Sequence, residues 1–168
     1  MSTVDELVTI VDEENQPVGS ASRAVMRRFN LPHRATYILV FNSRREIFIQ
    51  KRTATKDIYP GYFCTATGGV VAAGESYEES AQRELAEELG VRDIPLATLF
   101  DFFFAEESNK VWGRAFSCVY DGEMVLQEEE IAYGAFHQVA EVFRLAEREP
   151  FTPDCLYVLH RYLQSRSS

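Results

Sequence analysis

Residues Leu7 to Val11 alternate and are β-branched, a polar turn-forming run follows from Asp12 to Pro17, and apolar character returns at Val18. This pattern predicts a β-hairpin. Ser22 then stands as N-cap to a short basic helix through Arg27 and Arg28, which Pro32 ends. The run RATYILVFNSRREIFIQKR, Arg34 to Arg52, predicts two strands around a polar turn at Asn42 to Arg45. Farther along, Ile94 to Phe104 and Val111 to Tyr120 read as strands joined by the polar residues Glu106 to Lys110, and Glu128 to Glu130 as a loop with solvated charge. Leu156, Leu159, His160 and Leu163 recur at helical spacing, which predicts a closing helix from Pro153 to Leu163.

Between these segments lies GGVVAAGESYEESAQRELAEELGV, residues 68 to 91. Gly68, Gly69 and Gly74 give a loop whose backbone can adopt positive φ and approach a ligand closely. Ser76 and Glu79 form a capping box, so a helix is predicted from about Tyr77, with Gly90 as its C′ glycine. Tyr77, Ala81, Leu85 and Leu89 recur every four residues and make one apolar stripe. At about 100° per residue, Glu84, Glu87 and Glu88 fall within one arc beside that stripe. Like charges at these spacings repel, so something cationic is expected to compensate. Arg83 can neutralise and orient one of them, and a hard divalent cation such as Mg²⁺, which takes oxygen ligands and shares them with substrate phosphates, suits the cluster better.

Composition narrows the picture. The 168 residues, 46% hydrophobic, suffice for one domain with its own core. A formal net charge of −9 disfavours nucleic acid polymers and anionic membranes as partners, so a phosphate substrate would need a local basic patch or a metal. The N-terminus lacks the basic and continuous apolar regions of a signal peptide, and no apolar run is long enough to cross a bilayer. Cys64, Cys118 and Cys155 are widely spaced and without a CxxC pair, which reads as three reduced structural thiols in a cytoplasmic protein. Lys51, Arg52 and Lys56 precede the glycine loop, where Arg52 could hold phosphate oxygens bidentately and Lys56 as a point charge. Phe102, Phe103, Phe104 and Trp112 could stack on a base, although core packing is the ordinary use of such residues. His33, His137 and His160 show no ligand spacing.

The stretch from Gly69 to Val91 resembles the Nudix box and matches it at every defining position. The resemblance implies an α/β (α+β) fold with a mixed β-sheet sandwiched between helices. It also implies a divalent metal, Mg²⁺ or Mn²⁺, and hydrolysis of a diphosphate bond in a nucleoside-diphosphate-linked or related small molecule. By the family pattern Glu84, Glu87 and Glu88 are metal ligands, Gly68 a backbone ligand or loop former, Gly69 a substrate contact, Glu75 a secondary carboxylate and Arg83 the orienting partner. The expected organisation is one domain over residues 1 to 168, with a hairpin and short helix to residue 33 and the Nudix core from about 34 to 165. Strand edges of such folds often pair into homodimers.

The resemblance extends over HRATYILVFNSRREIFIQKRTATKDIYPGYF, VWGRAFSCVY, LQEEEI and FTP, which are similar to the Nudix subgroup holding isopentenyl diphosphate isomerase and the YfcD-type bacterial hydrolases. The isomerases have a catalytic cysteine and a metal-binding histidine where this chain has Ala66-Thr67-Gly68-Gly69-Val70, and their catalytic glutamate falls near Asn109 or Lys110. Isomerisation is therefore disfavoured against hydrolysis. In the expected mechanism Glu87 or Glu130 takes the proton of an attacking water, and Arg52 and Lys56 steady the phosphate oxygens. The alternative from another class is a Nudix domain that binds a nucleotide metabolite as a sensor without cleaving it.

Overall fold

In a computed structural model, residues 6–166 are described. The chain forms β1 (Leu7–Val11), β2 (Pro17–Ser22), α1 (Arg23–Arg28), β3 (His33–Phe41), β4 (Ile47–Arg52) and β5 (Phe63–Cys64). It continues through α2 (Tyr77–Leu89), β6 (Ala97–Glu106), β7 (Asn109–Val119), β8 (Ile131–His137), α3 (Val139–Ala146) and α4 (Pro153–Arg166).

β3 is the axis of a mixed sheet. It runs parallel to β7 from His33↔Val111 to Phe41↔Val119, and β7 pairs in turn with antiparallel β6. On its other side β3 meets β1 at Ile10↔His33 and the loop before α2, through isolated antiparallel bridges Ala35↔Val70 and Ile38↔Thr67. β4 leaves β3 through the turn at Asn42 to Arg45 and pairs antiparallel with β5 and β8.

Strand alternation splits the core into two layers. Tyr37 and Leu39 of β3 and Ile47 and Ile49 of β4 face α3 and α4, meeting Val142, Val158 and Leu159. Ile38, Val40 and Phe48 face α2, meeting its stripe of Tyr77, Ala81, Leu85 and Leu89. The sheet is therefore sandwiched between helices. A smaller cluster of Val8, Met26 and Val70 ties the N-terminal hairpin and α1 to the loop before α2.

The structure adds elements that the pattern did not announce. β5, β8 and α3 are absent from the sequence expectation, and the Glu106–Lys110 connection is a tight turn because β6 and β7 pair as far as Glu106↔Asn109. The expectation of three reduced thiols is corrected as well. Cys64 of β5 and Cys155 of α4, 91 residues apart in sequence, are joined as a disulfide, and Cys118 is free and buried. Among the described residues, no helix is long and apolar enough to cross a membrane.

Leu85 is fully buried beneath α2. Leu85→Ala should lower unfolding free energy by roughly 2–5 kcal/mol in urea denaturation. A loss below about 1 kcal/mol, the cost of a far milder core truncation, would mean that α2 does not cover this face of the sheet.

Candidate active site

The helix α2 is fixed at both ends. Ser76 Oγ accepts from Glu79 N at 3.0 Å and Glu79 Oε1 accepts from Ser76 N at 2.9 Å, closing the capping box. Gly90 ends the helix in the left-handed region at φ 68°. With the stripe packed inward, the acidic edge becomes graded in depth: Glu88 is 7% exposed, the Glu84 side chain 12% and the Glu87 side chain 37%.

The glycine loop reaches that edge because it is laid along β3. Thr36 N donates to Gly69 O at 2.9 Å and Ile38 N to Thr67 O at 2.7 Å. At Gly68, with φ 148°, a Cβ would stand 2.1 Å from the Thr36 carbonyl oxygen, and at Gly69 it would stand 2.9 Å from Glu84 Oε2. The first approach is to fixed backbone and needs a residue without a side chain, whereas at the second only the flexible end of Glu84 would have to move.

Arg83 governs the charge. Its Nε and Nη2 donate to Glu75 at 2.6 and 2.9 Å, and its Nη1 donates to Glu84 at 2.7 Å and to Glu87 at 3.1 Å. One guanidinium is spread over three carboxylates, and the bond to Glu75, followed by the neighbouring charges, raises its own pKa. Among the described residues no three acidic, histidine or cysteine side chains are gathered in metal-binding geometry, and Arg83 is paired with both Glu84 and Glu87. Glu88 lies outside those pairs. Burial and the adjacent Glu84 push its carboxyl well above the ordinary range, and Gln50 Nε2 is a neutral donor 3.4 Å away.

Glu130 joins the same site from the turn before β8. Lys56 Nζ pairs with Glu130 Oε2 at 2.5 Å. Lys56, Glu130, Gly68, Gly69 and Glu88, with Arg23 of α1, line both the hollow over the acidic edge and a deeper cleft beside it. Arg52 also lines the cleft, but its Nε and Nη2 donate to the Ile58 carbonyl at 3.1 and 2.9 Å, so that edge of the fork is turned to the backbone. Lys56 is likewise engaged with a carboxylate.

Besides Asn109, near which the isomerases place their catalytic glutamate, the cleft contains residues that the sequence pattern did not single out. Arg23 and Arg27 enter from α1, and Tyr37, Asn109 and Asp154 form the far wall. Asp154 Oδ2 accepts from Tyr37 Oη at 2.7 Å and from Asn109 Nδ2 at 3.3 Å. For the arginines a signal existed in their spacing of four around apolar Met26, whereas nothing local marks Asp154. Trp112 is not in the cleft. It packs against Phe103 in a tilted pair, centroids 5.5 Å apart, on the β6–β7 hairpin, while Phe102 is core. His160 packs against Phe143 in a tilted pair and His137 lies near Tyr133. His33 is buried, with Nδ1 donating to the Leu31 carbonyl at 2.9 Å.

Residues 31–159 match the NUDIX domain family. The chain belongs to the Nudix family. An uncharacterized Nudix hydrolase of Pseudomonas aeruginosa is 45% identical over 160 residues, covering 95% of each chain. The uncharacterized Nudix hydrolase YfcD of Escherichia coli K12 is 43% identical over 159 residues, covering 95% of this chain and 87% of its own. Among solved structures, DR0079 of Deinococcus radiodurans superposes with a TM-score of 0.82 at 24% identity, covering 93% of this chain and 98% of its own. The Nudix domain of Shewanella oneidensis NrtR, complexed with ADP ribose, does so with a TM-score of 0.63 at 14% identity, covering 82% and 88%. These two likenesses concern the fold. As a Nudix hydrolase the chain is a pyrophosphohydrolase, and Nudix hydrolases generally use divalent metals.

His33 carries a pH consequence for this Nudix fold. Burial, then the charge of Arg27, lowers its pKa to about 3 from 6.5. Below the unfolded value the unfolded chain takes up a proton that the folded chain refuses, so stability falls as pH drops from 6.5 towards 3. In urea titrations the wild type should lose more stability between pH 6.5 and pH 4 than His33→Asn does. Equal losses would mean that His33 protonates freely in the folded state.

Proposed function

We propose that this chain hydrolyses a diphosphate bond in a nucleoside-diphosphate-linked or related pyrophosphate compound. We assign the holding of Mg²⁺, or Mn²⁺, to Glu84, Glu87, Glu88 and the backbone of Gly68. The observation that carries the assignment is the Glu84–Glu88 pair, two adjacent carboxyls of which the inner is 7% exposed and has its pKa raised by burial and by the charge of Glu84. The donor set is all hard oxygen, which fits such an ion. Binding requires Glu84 and Glu87 to turn from Arg83, whose remaining bonds to Glu75 keep the guanidinium in place. When bound, the cation neutralises charge on the phosphate oxygens and makes a coordinated water more acidic.

The chain's own groups then have distinct tasks. Glu87, the most exposed of the three, or Glu130 across the hollow, accepts the proton of the attacking water. The Gly69 backbone forms the floor against which the diphosphate lies, with room left by its missing side chain. Lys56 neutralises phosphate oxygens from its place beside Glu130, and Arg52 does so with the part of its fork that Ile58 leaves open. The ADP ribose in the NrtR complex is an example of a diphosphate-linked molecule on this fold and a first compound to try.

The decisive experiment is a hydrolysis panel followed by ³¹P NMR with and without Mg²⁺, spanning nucleotides, nucleotide sugars, dinucleotides, coenzyme A and isopentenyl diphosphate. Metal-dependent release of two phosphorylated products is the expected outcome. Saturable binding of a nucleotide compound without any product would replace the hydrolase reading by a sensor. Glu87→Gln should reduce kcat by about 10²–10⁴-fold with an unchanged melting curve. Near-normal turnover in that variant would transfer the base role to Glu130.

A further inference from the structure

β4 carries a polar side chain in a position that core packing would fill with an apolar one. Ile47 and Ile49 face α3 and α4 while Phe48 faces α2, so strand alternation turns Gln50 towards α2 as well. Gln50 is 5% exposed, and its backbone lies between β5 and β8, opposite Cys64 on one side and Gly134 on the other. A buried amide is costly unless its hydrogens are bonded. Here Nε2 donates to Thr67 Oγ1 at 3.1 Å and to Glu88 Oε1 at 3.4 Å.

Those two acceptors belong to the two walls of the acidic hollow. Thr67 precedes Gly68, and its backbone is tied to β3 in both directions, Thr67 N donating to Ile38 O at 2.9 Å and Ile38 N to Thr67 O at 2.7 Å. Glu88 has its carbonyl held by Gln127 N at 2.9 Å, which fixes its main chain on the other wall. Its carboxyl end meets Glu84 over the hollow and Gln50 from the cleft. Arg83 is engaged with Glu75, Glu84 and Glu87, and Lys56 with Glu130. The amide of Gln50 therefore ties the end of the Glu88 side chain to the glycine loop. A methionine here would fill the same space, but it would remove that tie.

We infer that Gln50 is a positioning residue of the metal site, whose amide, anchored on Thr67, sets the Glu88 carboxylate against the Gly68 backbone so that both are in place when a cation arrives. This rests on the assignment of the cation to Glu84, Glu87, Glu88 and Gly68. Groups that hydrogen-bond a metal ligand from behind orient it, and their loss typically costs about 10–100-fold in metal affinity. A neutral amide suits the task, because it donates to the carboxylate without cancelling the charge that attracts the ion, as a lysine or arginine would.

The test is titration of the full chain with Mn²⁺ alone, the free aqueous ion being read by electron paramagnetic resonance. Gln50→Met should bind Mn²⁺ about 10–100-fold more weakly than the wild type. Thr67→Val, which keeps the volume and removes the anchoring oxygen, should weaken binding in the same direction, and Thr67→Ser should restore most of it. The Gln50→Met/Thr67→Val double variant should bind no more weakly than Gln50→Met, because both changes break one link. A merely structural amide would instead lower the melting temperature of the metal-free chain and leave Mn²⁺ affinity alone. A Gln50→Met variant within about twofold of the wild type, well short of the usual loss, or single losses that simply add, would overturn the positioning role. Glu88→Gln separates this role from the assignment beneath it. If Glu88→Gln loses Mn²⁺ while Gln50→Met keeps it, the assignment stands and Gln50 falls. If the wild type binds no Mn²⁺, or Glu88→Gln binds it equally well, both fall. Should Gln50→Met fail to fold, the contrast between Thr67→Val and Thr67→Ser decides.

Discussion

The site depends on a contact that only a bare backbone can make. Along β3, the residues from Thr67 to Val71 exchange hydrogen bonds with Arg34, Thr36 and Ile38, and Gly68 passes so near Thr36 that no side chain fits between them. That approach brings the loop over Glu84 and closes one side of the acidic hollow. It also joins the two halves of the molecule, because the same strand carries β7 on its other edge and divides its side chains between both core layers.

The electrostatics follow from the depth at which this packing sets each carboxylate. Were the acidic edge fully solvated, repulsion among its members would amount to a few tenths of a kcal/mol per pair. Here the innermost member is screened from water, the outermost is not, and the one adjacent guanidinium is divided among Glu75, Glu84 and Glu87. The result is a set of oxygen donors held in tension by an arginine that can release some of them without letting go of Glu75. Across the hollow, Lys56 and Glu130 are a second pair of this sort, each available to a ligand only by loosening the other.

The legible parts of the sequence were those in which local and tertiary demands agree. The capping box, the stripe of α2 and Gly90 all point to one helix, and the structure has it to the residue at its start. β8 was hidden because its residues show no alternation: it is set by long-range pairing with β4, with partly exposed residues on both faces. α3 follows it after Gln138 alone, and that residue makes no side-chain cap, so the usual start signal is missing. The disulfide joins residues whose proximity arises only when α4 docks on β5. The burial of Arg23 and Arg27 ran against the ordinary expectation for a basic helix, which is solvation, and Met26 between them was the only sign of their direction.

Trp112 is the chain's only tryptophan, and its position determines what can be observed optically. Its ring packs on Phe103 outside the cleft, its carbonyl accepts from Tyr77 Oη at 2.9 Å, and its indole N–H is buried without a hydrogen-bond partner. β3 stands between β7 and the glycine loop, so the fluorophore is coupled to the docking of the α2 N-terminus and insulated from the cleft. Emission excited selectively at the tryptophan is therefore a reporter of whether α2 is seated, whereas the emission of Tyr37 and Tyr59, which line the cleft, responds to what fills it.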